Sequence, residues 1–292
     1  MFKQKKFWFS LLGVLLSVIL LVCSLNWSRQ NVAELTRWHR SKVSPVIMIP
    51  GSSATENRFD RLVKKLNQNA NEKHSLLKVR VTNDDQIHYS GSIRPGDNEP
   101  IIVVGFENNH DGYDNIKQQA RRFALAFEDL NEQYNFNNFK AIGHSNGGLI
   151  YTAFLEKYYP EYAQQVTLKR LMTIGTPYNF NEGSMQHKAQ MLTDFIKDRK
   201  KLPTELVMYS VAGSQTYNAD GLVPVGSVLA GRYIYQGQVK QFTTITVSGE
   251  DAQHSALPQN DQIVELIERY MLDHVKKRPT IQGMPQLRGD EK

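Results

Sequence analysis

The sequence predicts an α/β fold, a mostly parallel sheet with helices on both faces. Three observations predict it. Short apolar runs such as "PVIMIP" (45–50) and "PIIVVGFE" (100–107) lack the polar alternation of a half-exposed strand, as strands buried on both faces do. Amphipathic helical stretches separate these runs. One run, "FKAIGHS" (139–145), ends on a serine flanked by glycines and passes at once into a helical stretch.

The elements follow in order. After the first run, "NRFDRLVKKLNQ" (57–68) has helical apolar spacing, and "LLKVRVT" (76–82) alternates as a strand does. The run at 100–107 precedes a long amphipathic helix over 113–134. The strand 139–145 leads to a helix over 147–159, which Pro160 ends. Strands are expected over 168–177, 205–214 and 241–249, and a closing helix over 258–277. Residues 178–204 interrupt the alternation with a polar stretch carrying Met185, Met191, Leu192 and Phe195. They read either as the crossover helix that a parallel connection needs or as a small lid over the site. Residues 278–292 are polar, hold two prolines and are expected to form a disordered tail. The globular domain thus spans 44–277.

Charge locates the other end of the chain. The formal net charge is +6, yet four basic residues and no acidic one lie within residues 1–30. The remaining body is nearly balanced and lacks the basic footprint of a nucleic-acid binder. Lys3, Lys5 and Lys6 precede an uncharged run over 7–25. At ~1.5 Å per residue this run reaches roughly 28 Å, close to the hydrocarbon thickness of a bilayer. Residues 1–25 read as an uncleaved signal anchor in a plasma membrane, with the lysines inside and the body outside. A cleaved signal peptide, giving a secreted body, and a lipoprotein signal ending at Cys23 are the alternatives. Residues 26–43 form a polar spacer with some helical pattern. Cys23 is the only cysteine, so the body is stabilised by its core and not by disulfides.

"GHSNG" (143–147) matches G-x-S-x-G, and the strand before it and helix after it give the match its meaning. A sharp strand-to-helix turn crowds its neighbours, which the glycines relieve, and lifts the Ser145 hydroxyl above the sheet. A hydroxyl needs a base, and the base an orienting acid. In such folds they follow the nucleophile in the order acid, then histidine. His254 lies in "EDAQHSALPQN", after the last strand. Asp220 is the only carboxylate of "QTYNADGLVPVGS", after the preceding strand. Asp-Gly is also a turn signal, and a tight turn would fix the carboxylate. Asp251 is the rival acid, on the same loop as His254. Backbone N–H groups of Asn146 and Ser52 are the expected oxyanion donors.

The segments "PGSSATENRF", "QYNFNNFKAIGHSNGGL", "IGTPYN", "DGLVPVGS" and "HSALPQN" resemble the bacterial cell-surface α/β-hydrolases long grouped as a domain of unknown function. The resemblance covers about residues 45–276 and implies a triad at Ser145, Asp220 and His254. In that family the first segment usually begins His-Gly with further glycines. Here Pro50 replaces the histidine, and Ser53 and Ala54 replace glycines.

These readings point to a membrane-anchored extracytoplasmic serine hydrolase acting on small-molecule or lipid-like carboxylic esters through an acyl-enzyme. An acyltransferase using the same residues and a non-catalytic surface-binding module are the alternatives. No metal or cofactor is expected: H-E-x-x-H and G-x-G-x-x-G are both absent.

Overall fold

Seven of eight strands run in one direction, so every loop leaving a parallel strand at its carboxyl end emerges on the same side of the sheet. The computed structural model describes residues 2–273. Helix α1 (Phe2–His39) precedes β1 (Val46–Ile49), α2 (Asp60–Asn69), β2 (Leu76–Val81), β3 (Ile87–Gly91) and β4 (Ile101–Phe106). Then come α3 (Tyr113–Tyr134), β5 (Asn138–His144), α4 (Asn146–Lys157), β6 (Thr167–Ile174), α5 (Gln190–Asp198) and β7 (Val207–Ser214). The short helices α6 (Val225–Leu229) and α7 (Arg232–Tyr235), strand β8 (Gln241–Ser248) and helix α8 (Asp261–Tyr270) complete it. The sheet order is β3-β2-β4-β1-β5-β6-β7-β8.

The predicted apolar runs are central because they are buried on both faces. Every residue of β1 and of β4 is buried. On one face α3 and α4 pack through an aromatic cluster, in which Phe123 meets Tyr151 and Phe154 edge to face at centroid distances of 5.1 and 4.8 Å. On the other, Phe59 and Leu62, at and near the start of α2, join Ile263 and Ile267 of α8 in a second core. α4 is buried along almost its whole length, which makes it the inflexible support beneath Ser145.

Besides the short helices α6 and α7, which the sequence reading does not anticipate, three elements differ from the expectation. β3 pairs antiparallel with β2 at the sheet edge. Its residues are mostly exposed, so no apolar face marks it, and its turn relies on Asp85 at φ 66°. α8 stops at Tyr270 rather than running to 277. Met271 and Leu272 turn into the core, and the Asp273 carboxylate accepts from Lys140 at 2.9 Å and Arg170 at 2.9 Å. Lys140 is fully buried and also bonds Glu99. A buried ammonium is costly unless it is well paired, so Asp273 is held there as its second carboxylate. α1 continues without a break through the predicted spacer to His39.

Residues 178–204 supply α5, whose Met191, Leu192 and Phe195 are buried against the core. The segment therefore adopts the crossover arrangement, and none of its residues lines the cavity above Ser145. The predicted tail 278–292 and the end of the predicted closing helix, from His274 on, lie outside the described residues.

Candidate active site

Ser145 joins β5 to α4 with φ 54° and ψ −126°, a conformation that costs a non-glycine residue on the order of 1–3 kcal/mol. The surroundings hold it there. Its N–H donates to the Ile174 carbonyl at 2.9 Å. Its carbonyl accepts from the Thr176 hydroxyl at 3.0 Å and the Gly148 N–H at 3.1 Å. The flanking glycines are needed for closeness. A Cβ on Gly143 would lie 2.5 Å from the Gly148 nitrogen, and one on Gly147 would run into the Ile49 carbonyl.

Asp220 and His254 come to Ser145 from the loops after β7 and β8. Asp220 is fully buried. Its Oδ1 accepts from the N–H groups of Leu222 at 3.0 Å and Val223 at 2.7 Å, the Asp-Gly turn in which Gly221 has φ 89°. That leaves Oδ2 to face His254 Nδ1 at 2.7 Å. His254 Nε2 lies 3.0 Å from Ser145 Oγ. A carboxylate only accepts, so the Nδ1 proton is on the Asp220 side and the Nε2 lone pair faces the hydroxyl. The His254 N–H also donates to the Asp220 carbonyl at 2.8 Å, tying the two loops together. Asp251 is exposed in a short turn, and among the described residues no hydrogen bond joins it to His254.

Ser52 lines the cavity above Ser145, and Asn146 directly follows the nucleophile candidate. Asn146 opens α4, where the first N–H groups have no intrahelical partner and the helix dipole is positive. Among the described residues no backbone carbonyl accepts from the N–H of Ser52 or of Asn146. The Ser52 loop crosses close to the nucleophile: a Cβ on Gly51 would lie 2.6 Å from Ser145 Cβ. Asn109, after β4, holds that loop by accepting from the Ser53 N–H at 2.8 Å and donating to the Ala54 carbonyl at 3.0 Å. Asp111 accepts from the Asn146 side chain at 2.8 Å. Neither residue carries a local signal. They matter because β4 lies beside β1 in the sheet.

His144 is a further participant. It is buried, its ring lies 4.9 Å from that of His254, and its Nε2 donates to the His254 carbonyl at 3.1 Å. Burial, then the nearby charges of His254 and Arg58, hold its pKa well below the ordinary histidine value. It therefore stays neutral and anchors the loop through its bond to the His254 carbonyl. Its position inside G-x-S-x-G was the only available signal.

The hydroxyl, the imidazole and the carboxylate form an unbroken hydrogen-bonded chain. Such a chain can take the proton from a serine as it attacks a carbonyl. Ser145 opens into a cavity of about 670 Å³, bordered by the 51–55 loop, Asn57, Arg58, Leu222, His254 and Ser255. Among the described residues no cluster of three or more His, Cys, Asp or Glu side chains could hold a metal ion.

Comparison with solved structures gives close likenesses. A proposed cell surface hydrolase from Lactobacillus plantarum WCFS1 is 50% identical, with a TM-score of 0.74 over 80% of this chain and 94% of that one. The product of a Listeria innocua gene is 26% identical, with a TM-score of 0.72 over 80% and 96% of the two chains. Lipase B of Aspergillus fumigatus, 11% identical with a TM-score of 0.50 over 82% of this chain and 55% of that one, shares the fold. Comparison with curated proteins gives no match. The sheet order and these likenesses make the fold that of an α/β-hydrolase. With its family model matching residues 35–274, the chain belongs to the family described as alpha/beta hydrolase of unknown function (DUF915).

Proposed function

We propose that the protein is a serine hydrolase of carboxylic esters, working through Ser145, His254 and Asp220. The observation that carries this reading is the continuous chain from Ser145 Oγ to His254 Nε2 at 3.0 Å and from Nδ1 to Asp220 Oδ2 at 2.7 Å. His254 takes the hydroxyl proton while Ser145 attacks the ester carbonyl. The N–H groups of Ser52 and Asn146 receive the developing oxyanion, and the imidazolium returns its proton to the leaving alcohol. Water, deprotonated by the same imidazole, then releases the acid from the acyl-enzyme. A fluorophosphonate probe is expected to label the native protein at one serine, mapped by peptide mass spectrometry to Ser145. Native, folded protein that takes no label, or takes it elsewhere, would overturn the reading.

α1 supports a place for the enzyme at the cell surface. Its stretch Leu12–Arg29 has a mean hydropathy of 1.7 and no burial, and Leu12, Val14, Leu15, Leu16, Ile19 and Leu20 are each more than half exposed. A helix so apolar and uncovered suits lipid. We read it as an uncleaved anchor. Its far end meets the base of the sheet, where the Asn137 side chain donates to the Trp38 carbonyl at 3.0 Å beside the start of β5. Ser145 lies past the other end of β5. At ~3.3 Å per residue, β5 puts roughly 20 Å between anchor and nucleophile. The mouth of the cavity therefore lies at the opposite end of the sheet from the contact with the end of α1. The full chain is expected to sediment with membranes, to resist alkaline carbonate and to keep residues 1–25. A mature chain beginning near residue 25 and active in the medium would show a cleaved signal instead.

A further inference from the structure

The cavity above Ser145 is lined by one permanent charge. Arg58 borders it, and no Asp or Glu does. Its side chain is partly buried. Nη2 donates to the Ser255 carbonyl at 2.6 Å and Nη1 to the Gln259 side chain at 3.3 Å, so both partners are neutral. A guanidinium has five N–H donors in a planar fork, and three are left over. Burial lowers its pKa with no carboxylate to offset it. The charge also reaches the catalytic floor, since it contributes to holding buried His144 neutral. A partly buried cation is often paired with a carboxylate. This one sits beside the proposed nucleophile with donors to spare.

The rest of the lining is equally informative. Ala54 and Leu222 are the apolar side chains on it, against Ser52, Ser53, Thr55, Asn57 and Ser255. Leu222 is itself two-thirds exposed. Pockets that sequester long acyl chains are lined predominantly by hydrophobic and aromatic side chains, whereas the side chains here are mostly polar and none is a large aromatic apolar ring.

We propose that the cavity takes a hydrophilic ester with a short acyl group and a carboxylate or phosphate elsewhere in the molecule, and that the free donors of Arg58 grip that anion. The proposal rests on the reading of Ser145 as nucleophile and names the substrate class of that site. Arg58 becomes the specificity residue: it pairs with the anion, excludes neutral lipid-like esters by comparison, and fixes the carbonyl over Ser145.

The test compares three acetyl esters on the full-length protein: 4-acetoxybenzoate, 4-acetoxyphenyl phosphate and the neutral methyl 4-acetoxybenzoate. All present the same acetyl group. At least one anionic ester is expected to exceed the neutral one in kcat/KM by tenfold or more, and the larger preference identifies the anion. Arg58→Gln is expected to lower that preference by about 10–100-fold, chiefly through KM, as loss of a charge-assisted contact does. Arg58→Lys keeps the charge without the fork and is expected to fall between. If Arg58 only braced the His254 loop, Arg58→Gln would slow all three esters equally through kcat, and that result overturns the proposal. A second measurement needs no variant. 4-Hydroxybenzoate is expected to slow fluorophosphonate labelling of the native protein more than its methyl ester does, and equal protection overturns the proposal. If Ser145 takes no label and no ester turns over, the hydrolase reading itself has failed.

Discussion

Ser145→Ala is expected to abolish ester turnover and fluorophosphonate labelling and to leave the fold intact. Loss of the nucleophile in comparable triads costs on the order of 10⁴–10⁶ in turnover. The fold should survive because the strained φ of 54° is held by backbone contacts, the Ser145 N–H to Ile174 and its carbonyl to Thr176 and Gly148. Alanine at that φ is no more strained than serine. The hydroxyl's own partner is His254, and an imidazole facing a 670 Å³ cavity can turn to water. Circular dichroism and thermal melting check the fold, and the probe and ester assays check the chemistry. A folded Ser145→Ala protein that still takes the label at its former rate would remove Ser145 from the mechanism.

The parts of this molecule legible in sequence are those fixed by local pattern. β1 and β4 announce themselves because every residue is buried, so their apolar runs are unbroken. Ser145 is legible because the strand–turn–helix context dictates glycine at 143 and 147, and the cost of a Cβ at either is a backbone collision. Asp220 and His254 could be located because chain order places one loop after β7 and one after β8. What stayed hidden depends on partners distant in sequence. The end of α8 is set by Asp273 meeting Lys140 and Arg170. β3 has no apolar face and exists through pairing with β2. Asn109 and Asp111 reach the site because β4 neighbours β1, and Arg58 because the loop before α2 crosses to Ser255. His144 was in view, but nothing local says that it faces the back of His254.

Asp220→Asn is expected to give a folded protein slowed on the order of 10³–10⁴-fold, by analogy with other triads. The reason is in the turn. The Leu222 and Val223 N–H groups both point at Oδ1, so an asparagine there must put its amide oxygen on them. Its NH₂ then faces His254 Nδ1, where Oδ2 now stands at 2.7 Å. A donor against Nδ1 forces the proton to Nε2. The face turned to Ser145 becomes N–H, which cannot accept the serine proton. Turn and loop contacts are preserved, including the His254 N–H to the Asp220 carbonyl, so the loss falls on kcat and not on folding. Asp251→Asn is the matched control. Asp251 is exposed and, among the described residues, makes no bond to His254. It lies three residues away on the same loop, so a generic charge effect on the imidazole would be visible there. Its activity should stay within about twofold of the native enzyme, as surface changes away from such contacts do. A large loss in Asp251→Asn with a small one in Asp220→Asn would assign the orienting acid to the other loop.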